Sequence, residues 1–227
     1  SGDLYAVGAF TTAGGNAANR VAKWDGASWS GLGTGLNSWA EALAFDADGN
    51  LYVGGQFSAA GGVSAKGIAK WDGTAWSALG SGVSSSYVSA LACDTAGGVY
   101  AAGRFTDAGG VDANNVAMWA DGHWSSLGTG LNGDVRDLEF DASGKLHAGG
   151  SDRVATWDGT TWTRLGTGMN GAVASLAFDG AGNLHAGGYF TFAGGNAANR
   201  VAKWDGAAWS ALGTGVGSYV LAVACDA

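Results

Sequence analysis

Few residues in this 227-residue sequence have types and spacings that could do chemistry. Asp137 and Glu139 stand two apart, and on a strand such residues share one face roughly 6.6 Å apart, a separation that suits the acid and base of an inverting glycosidase. Their competing role is ion pairing with Arg104, Arg136 or Arg153. Asp46-x-Asp48-x-Asn50 alternates oxygen ligands and could hold Ca²⁺, but it lacks the distal Glu of a calcium loop. His123, His147 and His185 are too scattered for a zinc site, and Cys93 and Cys225 make neither a metal box nor a disulfide framework. Residues 128–133 and 166–171 match a dinucleotide-binding pattern by letters yet open no helix. No Gly-x-Ser-x-Gly elbow and no Cys/His nucleophile arrangement occurs. These residues predict a protein that is not an enzyme, with no cofactor beyond the weak Ca²⁺ candidate.

The elements that would position these residues are set by an internal repeat. Trp-Asp-Gly or a near variant recurs at Trp24, Trp71, Trp119, Trp157 and Trp204, and each is followed five residues later by Trp29, Trp76, Trp124, Trp162 and Trp209. The intervals are 47, 48, 38 and 47 residues. A period in the forties with Gly-rich turns and no helical periodicity predicts propeller blades of four antiparallel strands. In the second repeat, residues 39–45, 51–57, 67–71 and 76–79 read as strands A to D, and residues 58–65 as a loop. Hairpin turns at residues 46–50 and 72–73 join A to B and C to D. The four residues between paired tryptophans put both indoles opposite each other across strands C and D.

The chain ends continue the pattern. Residues 219–227 followed by residues 1–5 align without a gap to residues 87–100, and the 47-residue spacing carries from Trp204 through the termini to Trp24. The expected fold is therefore all-β: a single five-bladed β-propeller over residues 1–227, closed by pairing the C-terminal strand A with the N-terminal strands. Its blades are residues 218–227 plus 1–34, then 38–82, 86–130, 133–168 and 171–215. The 38-residue interval is a deletion in the fourth blade, where the B to C loop shrinks and leaves a notch. Cys93 and Cys225 stand where other blades have Phe45, Phe140 and Phe178, as free core thiols.

Leu-Tyr-Val-Gly-Gly-x-Phe at residues 51–57, the following Ala-Gly-Gly, and Ala-Lys-Trp-Asp-Gly-x-x-Trp-Ser-x-Leu-Gly resemble the kelch-like repeats of bacterial secreted and cell-surface proteins. The resemblance covers essentially the whole chain. In architecture alone, five such blades are similar to tachylectin-type lectin propellers. The resemblance implies strand A innermost and strand D outermost, so A to B and C to D turns share one rim and the longer loops share the other. The first rim would hold 12 of the 19 acids, including Asp46, Asp48, Asp94, Asp141 and Asp179, as turn formers. Five-bladed glycosidases draw acids from several inner strands, whereas this chain concentrates them in the pair Asp137 and Glu139.

Candidate binding residues lie on the loop-rich rim. The first position of strand A holds Trp39, Tyr87, Asp134, Ala172 and Tyr219, and exposed Trp39, Tyr87 and Tyr219 could stack on sugar faces. The near-identical loops at residues 11–19 and 191–199 supply Asn16, Asn19, Asn196 and Asn199, each loop followed by Arg20 or Arg200. Amides and guanidinium forks of this kind hydrogen-bond sugars and carboxylates. Pairing of the arginines with neighbouring acids, and left-handed turns at the asparagines, are the structural alternatives.

Composition narrows the partners. Charged residues make up 13% and the net charge is −8, which argues against binding a phosphate backbone. No apolar run reaches the 18 residues of a membrane span. The 43 glycines follow no Gly-X-Y register and Pro is absent, which excludes collagen. The chain as given starts at Ser1 without an apolar leader, so any signal peptide would lie outside it. The expectation is an extracellular or cell-surface binding propeller whose partner is a glycan or another surface protein. The alternative is a structural building block that self-assembles and takes no small ligand.

Overall fold

The computed structural model describes residues 2–85, 87–151 and 153–226, with the Arg153 side chain excepted. Ser1, Ser86, Asp152 and Ala227, the first three at or near expected blade boundaries or the shortened turn, lie outside the described residues. All regular structure is β, and the chain forms two compact units, Ser1–Ser126 and Leu127–Ala227.

In the first unit, the second repeat pairs Ala40–Phe45, Leu51–Gly55, Ile68–Trp71 and Trp76–Ala78 in sequence order as one antiparallel sheet. The third repeat does the same with Val88–Cys93, Val99–Gly103, Val116–Ala120 and His123–Ser126. The first repeat has three strands, Leu4–Val7, Val21–Trp24 and Trp29–Gly31. In the second unit, Val135–Phe140, Leu146–Gly150, Arg153–Trp157 and Trp162–Arg164 form the fourth repeat. Val173–Phe178, Leu184–Gly188, Val201–Trp204 and Trp209–Ala211 form the fifth. Residues 217–226 follow without a strand ladder, fastened to the fifth repeat by Val220 N–H to Gly188 C=O at 3.2 Å and Val223 N–H to Ser175 Oγ at 3.2 Å.

Two features depart from the regular strands and loops that the sequence predicts. The long loop between second and third strands is itself a small hairpin: Ala59–Ala60 pairs with Val63–Ser64 around Gly61 and Gly62, both with positive φ. Equivalent hairpins occur in the first, third and fifth repeats. In each four-stranded repeat, moreover, the first strand carries a bulge at its third position, between Ala40 and Ala42, Val88 and Ala90, Val135 and Asp137, and Val173 and Ser175. The bulge explains the Gly-Gly pair ending the second strand. A Cβ on Gly55 would collide with the carbonyl of Trp39, and one on Gly54 would meet Val88 of the following repeat at 2.6 Å.

The interiors are built from small and branched residues such as Val53, Ile68, Val99, Ala101, Leu184 and Ala202, with Phe57, Phe105 and Phe190 buried two residues beyond the glycine that ends each second strand. On this core sit the tryptophan pairs. All five are cross-strand partners with ring centroids 5.3–5.7 Å apart. The second indole of four of the pairs also ties repeats together: Nε1–H of Trp76 donates to Leu32 C=O at 2.9 Å, Trp124 to Leu79 at 2.9 Å, Trp162 to Leu127 at 3.1 Å, and Trp209 to Leu165 at 2.9 Å. Burial shields these bonds from water, which makes an unmade partner costly.

Trp76→Phe deletes one such bond and part of the indole's packing. Its unfolding free energy, measured by urea denaturation, should fall by about 1–3 kcal/mol, whereas an unchanged value would show that the bond adds nothing net.

Candidate functional site

The bulge decides which side chains of the first strand reach the loop-rich edge of each repeat. It redirects the third position while the first position closes the strand end, where Gln56, Arg104, Ser151 and Tyr189 donate their N–H groups to the carbonyls of Trp39, Tyr87, Asp134 and Ala172 at 2.8–3.1 Å. Side chains at these three places therefore meet at one edge.

In the first unit, Trp39 is 54% exposed. Beside its strand, Gln56 Nε2–H donates to Glu41 Oε1 at 2.6 Å, and the Arg104 guanidinium lies 5.7 Å from the centroid of the half-buried Tyr87 ring. In the second unit the same places build a continuous stack. Arg136 lies 5.4 Å from the Tyr189 ring centroid, Tyr189 lies 4.8 Å from Tyr219 with planes 38° apart, and Arg200 lies 5.3 Å from Tyr219. Tyr219 remains 62% exposed despite these neighbours. Two guanidinium groups and two aromatic faces thus lie together, an arrangement held by cation–π attraction. The role of Tyr189 and Arg136 in this stack was not legible from the first-strand alignment alone, because the bulge and the end of the second strand bring them there.

The hairpin residues serve mainly as fasteners. Asn19 and Asn199 donate Nδ2–H to Thr34 and Thr214 carbonyls at 3.0 and 2.9 Å, and Asn16 donates to Trp29 C=O at 3.0 Å. Asn196 is exposed in the paired hairpin of the fifth repeat. Arg20 and Arg200, not the asparagines, take the left-handed backbone, with φ of 69° and 67°. Their guanidinium groups donate to backbone carbonyls, Arg20 to Phe10 at 3.0 Å and Arg200 to Tyr189 at 2.7 Å and Phe190 at 3.1 Å, rather than to acids.

Of the arginines expected to pair with the acidic pair, the Arg153 side chain lies outside the described residues. Asp137 accepts N–H bonds from Leu138 at 2.9 Å and from Leu176, on the next repeat, at 2.6 Å. Burial pushes the Asp137 carboxyl above its ordinary range, although these amides partly offset it, and burial followed by the nearby Asp137 charge raises Glu139. Asp137 is therefore a strand-to-strand connector, as Ser175 is when it accepts from Val223.

Asp46 is fully engaged in its own turn. It accepts from Asn50 N–H and Asn50 Nδ2–H, each at 2.8 Å, and from the Tyr52 hydroxyl at 3.1 Å. The same acceptor recurs: Asp94 binds Tyr100 at 3.1 Å, Asp141 binds His147 Nε2 at 3.2 Å, and Asp179 binds His185 Nε2 at 3.0 Å. Histidine thus replaces tyrosine as the donor that locks the turn. No cluster of three metal-ligating side chains occurs among the described residues. Burial and neighbouring charges push the Cys93 thiol up to about 12, which leaves it a poor nucleophile.

No family model matches the chain, and no curated protein does. Solved structures do resemble it. The extracellular domain of a chain assigned as a hybrid two-component system, BT4673, from B. thetaiotaomicron superposes with a TM-score of 0.63 at 11% identity, covering 89% of this chain and 27% of that one. A chain of the mitotic checkpoint complex gives 0.58 at 16% identity, covering 90% and 74%. A chain assigned as a gluconolactonase gives 0.52 at 18% identity, covering 73% and 63%. With the repeated four-stranded sheets, these likenesses define an all-β, propeller-like fold. At such identities they speak for the fold alone.

The turn aspartates make stability depend on acid. Hydrogen bonds from the Thr74 hydroxyl and the Ala75 and Thr74 amides hold Asp72 at about 2, and Asp141 also sits at about 2 because Ser143, Lys145 and His147 outweigh its burial. These depressed values contribute stability that is present above the unfolded value near 4 and lost as pH falls toward 2. The raised Asp137 and Glu139 act with the opposite sign, but below pH 4 they no longer oppose the loss. Thermal melts followed by near-ultraviolet circular dichroism should show the melting temperature dropping between pH 4 and pH 2, less steeply for Asp141→Ser. A flat profile there would contradict the assignment.

Proposed function

We propose that this chain is an extracellular, non-catalytic five-bladed propeller that binds glycan on its loop-rich rim. The observation that carries the reading is the Arg136–Tyr189–Tyr219–Arg200 stack with its exposed Tyr219 face. An exposed aromatic face accepts the apolar side of a sugar ring, and guanidinium groups beside it favour saccharides carrying a carboxylate. Trp39 extends the same chemistry to the second repeat. Against catalysis stands the commitment of Asp137 to backbone amides.

The first blade in this reading is completed by the chain ends. Leu4–Val7 has no first-strand neighbour in its sheet, Leu4 is 57% exposed and Leu221 is 69% exposed. Leu212 occupies the place of Leu32, Leu79, Leu127 and Leu165 yet is 40% exposed, and Trp29 is the fifth second-indole. Trp29 with Leu212, and Tyr5 with Asp226, are the partners that the repeat pattern leaves to be joined. The same open edges support the second reading, in which joining occurs head to tail between copies and builds an assembly.

Two measurements test these statements. The repeat register places Cys225 opposite residue 4, so Leu4→Cys should form an intrachain disulfide on mild oxidation, migrating as a monomer on a non-reducing gel. Covalent multimers would favour the assembly, and no crosslink would overturn both modes of joining. On a glycan array the full chain should bind acidic saccharides, and Tyr219→Ala should weaken the hits at least about tenfold, the scale of one lost stacking contact. Trp39→Ala reports whether the second repeat also binds saccharide, and an array without hits would sink the glycan reading.

A further inference from the structure

The small hairpins of the second, third and fifth repeats each dock on one receptor made by the loop that precedes the repeat. The turn glycine N–H donates to a loop glycine carbonyl: Gly61 to Gly35 at 2.8 Å, Gly109 to Gly82 at 2.8 Å, and Gly194 to Gly168 at 2.9 Å. Two residues along the loop, Asn37, Ser84 and Asn170 return their own N–H to a hairpin carbonyl at 2.9–3.3 Å. The side-chain oxygen of that same residue accepts two successive hairpin N–H groups: Ser58 and Ala59 on Asn37, both at 3.0 Å, and Thr191 and Phe192 on Asn170, at 2.8 and 2.9 Å. The turn glycine then lies directly on the second tryptophan, where a Cβ on Gly61 would stand 2.6 Å from Trp76 Cδ1.

The fourth repeat keeps the receptor and lacks the hairpin. Gly130 and Asn132 hold the two loop places, and Trp162 holds the place of Trp76. Among the described residues the Asn132 side chain has no hydrogen-bond partner, in contrast to Asn37 and Asn170. Trp162 is half-buried, where Trp76, Trp124 and Trp209 are 3–7% exposed. A cavity of about 440 Å³ opens in the vacated space, lined by Gly130, Asn132, Trp162, Thr160 and Arg164 among others.

We propose that this notch is a docking site for a hairpin-forming peptide segment of a partner protein, of the Ser/Thr-x-Ala-Gly-Gly turn type. Main-chain hydrogen bonds to Gly130 and Asn132 supply the affinity, as in the addition of a strand to a sheet edge. The Trp162 face supplies the selectivity, because it leaves no room for a Cβ at the turn. The occupied copies of the same receptor in this chain say what fits it. The site is separate from the saccharide platform.

The probe is a fluorescent 11-residue peptide with the sequence of residues 57–67, titrated with the full chain by polarisation. Saturable binding is expected below about 1 mM, the weak end of ordinary affinities. Replacing both peptide glycines by alanine should abolish it, and Asn132→Ala should weaken it at least about tenfold. A variant in which Asp152 is replaced by the sequence of residues 57–66 restores the missing hairpin, and should keep the circular dichroism of the parent while losing the peptide. That filled variant decides the matter should Asn132→Ala fail to fold. Tyr219→Ala leaves peptide binding unchanged, which separates this result from the glycan reading. Absence of saturation, equal binding by the filled variant, or equal binding of the alanine peptide would each overturn the proposal, as would an array saccharide lost from the filled variant when the peptide does not bind.

Discussion

The bond from a tryptophan Nε1–H to the leucine carbonyl of the preceding repeat is the contact on which the other elements rely. A repeat of this length cannot bury both of its sheet faces alone, so its stability depends on the neighbour it stacks against. The indole meets that need twice, packing tilted against its cross-strand partner and donating a shielded hydrogen bond to the preceding repeat. Where the second indole has a full set of neighbours, as in Trp76, Trp124 and Trp209, it is almost wholly buried. The leucine that accepts the bond is buried with it, at 2–9% exposure for Leu32, Leu79, Leu127 and Leu165.

This outer fastening frees the first strands for other uses. Their hydrophobic positions Leu91 and Leu176 lie against Gly54 and Gly149 of the preceding repeat, while the bulge turns the third position aside. That bulge requires glycine across from it, because the strand-end carbonyl approaches too closely for any Cβ. The result is an edge whose residues carry little of the packing. Tryptophan, glutamate, arginine or alanine can occupy it at small cost in stability, and chemistry can vary there without unfolding the repeat.

Much of this was legible in the sequence. The period and the paired tryptophans predicted the four-stranded order, and the turn aspartates are hydrogen-bonded as their position implied: Asp25, Asp72, Asp158 and Asp205 each cap two amides of their own turns. His147 and His185 stand in the sequence where other repeats have Tyr52 and Tyr100, but that each donor serves the aspartate of its own turn needed distances. The bulge was invisible because strict alternation assumes an even strand. The hairpin inside the long loop was missed because two-residue strands of Ala, Val and Thr carry no periodic signal. Arginine pairing with acid was the natural expectation for Arg20 and Arg200, yet both guanidinium groups, on a left-handed backbone, donate to carbonyls ten or eleven residues upstream.

The deletion in the fourth repeat shows why such a protein can lose nine residues in one place and keep its sheet. Each small hairpin closes its own two-strand ladder and docks on the preceding loop and one indole, so its removal breaks no ladder of the four-stranded sheet. The four-stranded sheet of the fourth repeat remains complete, with Trp157 still opposite Trp162 and Trp162 still bonded to Leu127. What the deletion exposes is the half of the contact that the hairpin had covered. Polar groups at such a face turn to water, at modest cost because they are at the surface. An aromatic edge has no such recourse, so its free energy favours a replacement cover. A repeat protein therefore acquires a ligand-shaped surface by subtraction: every other copy of the unit holds the shape of what was removed.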